Sequence, residues 1–216
     1  MRIITGVKEI AIGISRYLQK ELQLDDKDAD AVRFGLESFF DILISLGFLF
    51  GVAWGLGLVP YVLAAWLTTS GLRLVSGGAH SSTLFRCIVL GTAILTGIGQ
   101  LSAMAGKVPP ASLFALAGFS VIGGLYAVYR WAPADTPAKS IVSPLKRTRY
   151  RRLSYQFITG WTIAVSTWVF FGGEEPLISG LVLASIGGMW WQIFSITPAG
   201  YQFVAAMDRL FAKCCL

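Results

Sequence analysis

The chain has 216 residues, of which 55% are hydrophobic and only 14% charged, and its net charge is +6 at pH 7. A soluble globular chain carries roughly 25% charged residues, so a water-soluble domain is excluded and an all-α integral membrane protein is expected. The three cysteines are too few for a disulfide framework. The positive charges gather at the ends of apolar runs, which signals membrane topology rather than a nucleic-acid partner.

Residues 1–33 interrupt any apolar stretch with Arg2, Lys8, Glu9, Arg16, Lys20 and Glu21, so they do not read as a cleavable signal peptide. Ile3, Val7, Ile10, Ile14, Tyr17 and Leu18 recur at helical spacing. That predicts an amphipathic helix, either flat on the membrane or packed on the rest of the protein. A charged turn from Leu24 to Asp30 follows.

No charge occurs from Ile42 to Leu72. A helical span needs about 20 residues, so two spans and a turn do not fit within those limits. With Gly57-Leu58-Val59-Pro60 as the turn, the first span begins near Phe34 and draws in Glu37 and Asp41. Intramembrane acids are usually paired or functional, and Arg73 or Arg86 are candidate partners; the alternative is that both acids reach water. Gly47, Gly51 and Gly55 form a stripe that lets a neighbouring helix, or a second subunit of a homodimer, come close.

Further spans are expected over about 61–73, 84–105, 111–129, 153–171 and 177–196. Between the fourth and fifth lies a basic loop, 130–152, holding Arg130, Lys139, Lys146, Arg147, Arg149, Arg151 and Arg152 against the single acid Asp135. The expectation is one membrane domain over 1–216. It comprises an interfacial segment (1–33), a six-span core (34–200) and a tail (201–216). With N and C termini both cytoplasmic, only Lys107 of the 18 Lys and Arg residues falls outside, as the positive-inside rule requires.

The stretch Arg73-Leu-Val-Ser-Gly-Gly-Ala-His-Ser-Ser-Thr-Leu-Phe-Arg-Cys87 is then cytoplasmic and holds the only histidine, His80. On one straight helix His80 and Cys87 would lie about 10 Å apart, too far for a base to reach a thiol. Gly77-Gly78 offers a break, and Ser81, Ser82 or Thr83 could cap a new helix. Cys87 would then sit in its first turns, where a helix N-terminus and a nearby imidazolium favour the thiolate and spare N–H groups could meet an oxyanion. Ser81 or Ser82 might be expected to orient His80, but neither spacing nor composition selects one. One histidine cannot supply a zinc site of three or four ligands, so no metal or cofactor is expected. Cys214-Cys215-Leu216 is not a prenylation box.

Arg73, Gly78, His80 and Cys87, in the pattern Arg-x4-Gly-x-His-x6-Cys, resemble the accessory gene regulator B family of membrane endopeptidases in Gram-positive quorum sensing. The likeness extends to Tyr17-Leu18-Gln19-Lys20, Arg33-Phe34-Gly35-Leu36-Glu37 and the run from Trp131 to Lys139, and it covers roughly 10–200. The resemblance implies a multi-pass cell-membrane enzyme that cuts a short membrane-associated propeptide with an acidic C-terminal tail. Cys87 would be the nucleophile and His80 the base and acid. An acyl thioester would then be captured by an internal Cys or Ser, giving a cyclic thiolactone or lactone. Arg73 would hold peptide carboxylates or local structure, Gly78 the turn, and Lys146 and Arg147 the acidic tail. The competing expectations are a small exporter of peptide or solute, in which Glu37 and Asp41 would matter more, and a scaffold for a sensor kinase.

Overall fold

A computed structural model describes residues 2–134 and 143–213. Asp135, Lys139, Cys214 and Cys215 lie outside the described residues. Within them eight helices follow one another: α1 (Arg2–Leu22), α2 (Asp26–Gly55), α3 (Val59–Ser76), α4 (Leu84–Met104), α5 (Pro110–Trp131), α6 (Pro144–Gly172), α7 (Pro176–Ser195) and α8 (Pro198–Lys213). No strand occurs among the described residues. Proline stands in the first turn of α3, α5, α6 and α7, where its missing N–H costs no helical bond.

Four helices, α2, α4, α5 and α7, are long and apolar enough to cross a membrane. The two other expected spans, α3 and α6, form helices in the expected places but carry charge: α3 has 18 residues and includes Arg73, and α6 opens on a basic stretch. The expected tail differs most, because 198–213 is the ordered helix α8.

The chain divides into two compact units, Met1–Leu49 and Phe50–Leu216. In the first, α1 packs on α2 through Ala11, Ser15 and Ala29, all buried. The Ser15 hydroxyl donates to the Ala29 carbonyl at 3.0 Å, and the Gln19 amide donates to Asp26 at 2.9 Å. Ile10, Ile14 and Tyr17 stay exposed. Ala11 and Ser15 of α1 are therefore turned to α2, and Ile10, Ile14 and Tyr17 away from it. Glu37 pairs with Arg33 one turn earlier at 3.9 Å.

The second unit is organised round α7, the most buried of the four apolar helices. Val182, Ile186, Met189 and Ile193 meet Leu72 of α3, Leu113 and Val128 of α5, and Ile158, Trp161 and Val165 of α6 in one core. The α3–α7 seam is tight because Gly188 leaves no room for a Cβ against the Ala65 carbonyl. The Thr69 hydroxyl donates to the Gly188 carbonyl at 3.0 Å. Ser185 links Thr68 (2.7 Å) and the Trp161 indole N–H (2.8 Å). Bonds of this kind stabilise packed apolar helices where water is absent. By contrast, a Cβ added at Gly51 or Gly55 of α2 would meet nothing within 4 Å. Within the chain, the close helix contact made by small residues lies on α7, and the stripe on α2 stays open.

Candidate active site

The ends of α3, α5 and α7 and the starts of α4, α6 and α8 converge at one end of the larger unit. There α3 stops at Ser76, and the break expected at the glycine pair occurs. Gly77 has φ +72° and Gly78 φ +141°, conformations that an L side chain rarely adopts. Space excludes side chains as well. A Cβ on Gly77 would run into the Ala134 carbonyl, and one on Gly78 would lie 2.7 Å from the Ser195 hydroxyl oxygen.

Turn 77–83 is held from three sides. Ala134, just after α5, donates its N–H to the Ser76 carbonyl at 2.8 Å and forms a parallel bridge with Gly77. From α7, the buried Gln192 amide donates to the Ser76 hydroxyl (2.9 Å) and to the Gly77 carbonyl (2.7 Å). The Ala79 N–H in turn donates to the Ser195 carbonyl at 2.9 Å. The Arg73 guanidinium donates to the Ala79 carbonyl. From α8, Asp208 accepts the Ser82 N–H at 2.7 Å.

Thr83 is the observed cap of α4: its hydroxyl accepts the Arg86 N–H at 3.4 Å. The Cys87 N–H donates to the Thr83 carbonyl at 3.0 Å, which places Cys87 in the first turns of α4. Helical side chains tilt toward their own N-terminus, so the Cys87 thiol leans back toward turn 77–83. Cys87 is half-buried, while His80 keeps an exposed surface.

Arg73 links the pair electrostatically. The charge of its guanidinium acts on Cys87, on Tyr201 of α8 and on His80. Desolvation first, and Arg73 second, push the His80 pKa down from 6.5 to about 4. Burial and the neighbouring guanidinium therefore favour the neutral imidazole. Arg73 thus supplies a positive charge that acts on Cys87, besides any imidazolium of His80.

Of the other expected site residues, Lys146 and Arg147 lie exposed on the first turns of α6, at the same end of the unit. The Arg151 guanidinium ties that helix start to the Ala132 carbonyl at 3.0 Å, two residues from the Ala134 bridge. Ser82, one of two candidates for orienting His80, is engaged elsewhere: its hydroxyl accepts from Arg86 at 3.1 Å. Gln192, Ser195, Tyr201 and Asp208 were not among the expected site residues. A glutamine inside an otherwise apolar span was the one signal that could have drawn attention to α7. No group of three or more His, Cys, Asp or Glu side chains that could hold a metal occurs among the described residues.

Comparison with known proteins gives a consistent result. Residues 11–196 match the family described as Accessory gene regulator B. An AgrB-like protein of Clostridium perfringens strain SM101 is 26% identical, covering 93% of this chain and 95% of its own length. A second, from strain 13 of the same species, is 25% identical over 96% of this chain and 99% of its own. An AgrB-like protein of Listeria innocua is 22% identical, over 91% and 90% respectively. No solved structure matches the chain.

Proposed function

Because the chain belongs to the accessory gene regulator B family, generally cysteine proteases that process quorum-sensing peptide precursors, we propose that it is a membrane-embedded cysteine endopeptidase and cyclase. The observation that carries this reading is the placement of His80 and Cys87 on a braced turn and the helix that follows it, with Arg73 acting on both. A cysteine that only filled space would need no such brace.

The Cys87 thiol gives its proton to neutral His80 as its sulfur attacks the scissile carbonyl of a short propeptide. The oxyanion is met by N–H groups in the first turn of α4. His80 then protonates the departing amine, the C-terminal fragment leaves, and an acyl thioester remains on Cys87. An internal thiol or hydroxyl of the bound peptide loses its proton to His80 and attacks that thioester. The ring closes as a thiolactone or lactone, and Cys87 recovers its proton. Effective molarity favours the tethered nucleophile over water by several kcal/mol, within a limit of about 7–11 kcal/mol. Arg73 holds the turn and supplies positive charge at the sulfur. Lys146 and Arg147 attract the acidic tail of the propeptide.

In this reading α2 to α7 span the bilayer six times, both termini are cytoplasmic, and α1 lies on the cytoplasmic face. Gly51 and Gly55 leave an open helix face that suits a second copy. The exporter reading, which leans on Glu37 and Asp41, predicts instead that Cys87→Ser leaves function intact.

The test uses the full chain in lipid vesicles and a synthetic peptide with an amphipathic N-terminal half, an internal cysteine and an acidic tail. Cleavage and cyclisation, followed by mass spectrometry, are expected to disappear in Cys87→Ser and His80→Gln. Processing that survives Cys87→Ser would sink the assignment.

A further inference from the structure

The C-terminal helix α8 is fixed on the end of α7 with little freedom. The Thr197 hydroxyl accepts the Gly200 N–H at 3.1 Å, and Gly200 abuts the Phe194 carbonyl too closely for a side chain. Phe203 of α8 packs between Trp191 and Phe194 of α7, with ring centroids 6.1 and 5.7 Å away. Tyr201 and Asp208 are seven residues apart, hence on one face of α8 and about 10 Å apart along its axis. Tyr201 acts electrostatically on Arg73, near the end of α3. Asp208 accepts the Ser82 N–H, just before α4. One face of α8 is therefore turned to the segment that carries His80, and Asp208 holds its end.

Asp208 has a further peculiarity. Its second oxygen, Oδ1, is buried with no hydrogen-bond partner among the described residues. A buried acceptor left unpaired costs stability, so folding alone gives a poor reason for a carboxylate there. What the carboxylate does achieve is positional. Anchoring the Ser82 N–H fixes the chain path two residues after His80, and the Ser82 hydroxyl passes that anchor to Arg86, next to Cys87.

We propose that Asp208 is a positioning residue of the His80–Cys87 site, acting through the Ser82 N–H to hold the imidazole within reach of the thiol. This rests on the peptidase reading above. The test therefore reads the coupling between His80 and Cys87 and needs no peptide.

In the full chain with Cys214→Ser and Cys215→Ser, Cys87 is the remaining thiol, and its alkylation by N-ethylmaleimide can be timed in detergent micelles. His80→Gln is expected to slow alkylation by about tenfold or more, as loss of a positioned base does. In the Asp208→Ala background the same substitution is expected to change the rate by less than about twofold, because coupling in such a cycle vanishes when the two groups are no longer held together. Asp208→Asn keeps an oxygen for the Ser82 N–H and is expected to restore the His80 effect, a rescue that a purely electrostatic or general stabilising role would not give. A His80 effect that persists in full with Asp208→Ala overturns the positioning role and leaves the Cys–His pair standing. No His80 effect in the parent chain overturns the pair and the proposal together. Should Asp208→Ala fail to fold, Ser82→Pro, which deletes the donated N–H and leaves α8 unchanged, must also remove the His80 effect. If it does not, the proposal falls.

Discussion

Turn 77–83 and the opening of α6 lie at the same end of the larger unit and are held in opposite ways. Bonds from Ala134, Gln192, Ser195, Arg73 and Asp208 converge on the turn and its flanks. At the start of α6, Lys146, Arg147 and Arg149 stand exposed, and the bond from Arg151 to Ala132 secures the backbone beneath them. The difference matches two physical tasks. Bond making fails when reacting atoms are misplaced by about 1 Å, so its groups need a braced backbone. Attraction between charges acts over about 8 Å in physiological salt and tolerates mobile side chains.

The sharpest way to break this contrast is at Gly78. Gly78→Ala would place a β-carbon against the Ser195 hydroxyl in a left-handed conformation, at a cost of about 1–3 kcal/mol of strain. Turnover of the synthetic peptide is expected to fall on the order of a hundredfold, with a lower thermal midpoint. Near-normal turnover would mean that the turn is not the rigid element described here.

A smaller effect concerns pH. The His80 pKa is lowered to about 4 in the folded chain, against about 6.5 when unfolded. Between those values the unfolded chain binds the extra proton, so the contribution of His80 to stability is complete above pH 6.5 and is lost as pH falls toward 4. The part of Cys87 alkylation that depends on His80 should likewise persist at pH 5.5 and fade only as pH approaches 4. A midpoint near 6.5 would place the imidazole in free solvent rather than in the braced turn.

The weakest response is expected from the exposed partner. Replacing Lys146 and Arg147 by Glu should raise KM for the acidic-tailed peptide several-fold, on the scale of surface ion pairs, with kcat little changed and the difference shrinking in high salt. A fall in kcat with KM unchanged would assign these residues to the turn instead.

Much of this arrangement was legible in the sequence. Apolar run lengths and Gly/Pro punctuation set α3, α4, α5 and α7 within a few residues. By contrast, α2 and α6 begin at Asp26 and Pro144, inside the expected charged turn and basic loop, because a helix can run on past the apolar stretch into charged residues. The 10 Å argument required that His80 and Cys87 not share one helix, and the chain is non-helical from Gly77 to Thr83, which leaves His80 on the turn and Cys87 on α4. The brace was not legible, because Gln192, Ser195 and Asp208 lie more than a hundred positions downstream of what they hold. Local periodicity says nothing about pairings across such separations. A glycine stripe likewise marks where helices can approach, not where they do: Gly188 is in contact and Gly51 is not. The lowering of the His80 pKa was not legible for a similar reason, since only the folded chain buries the imidazole and adds the charge of Arg73.

The direction of those long-range bonds has a consequence for biosynthesis. Ala134, Gln192, Ser195 and Asp208 all follow the turn they secure. A nascent chain therefore carries its nucleophile and base through the synthesis of four more helices before the last support is made. Until α8 docks, the glycine turn lacks the contacts that give it shape. The reactive geometry belongs to the finished polypeptide, and a ribosome-bound fragment ending before α7 would hold both groups without the means to align them.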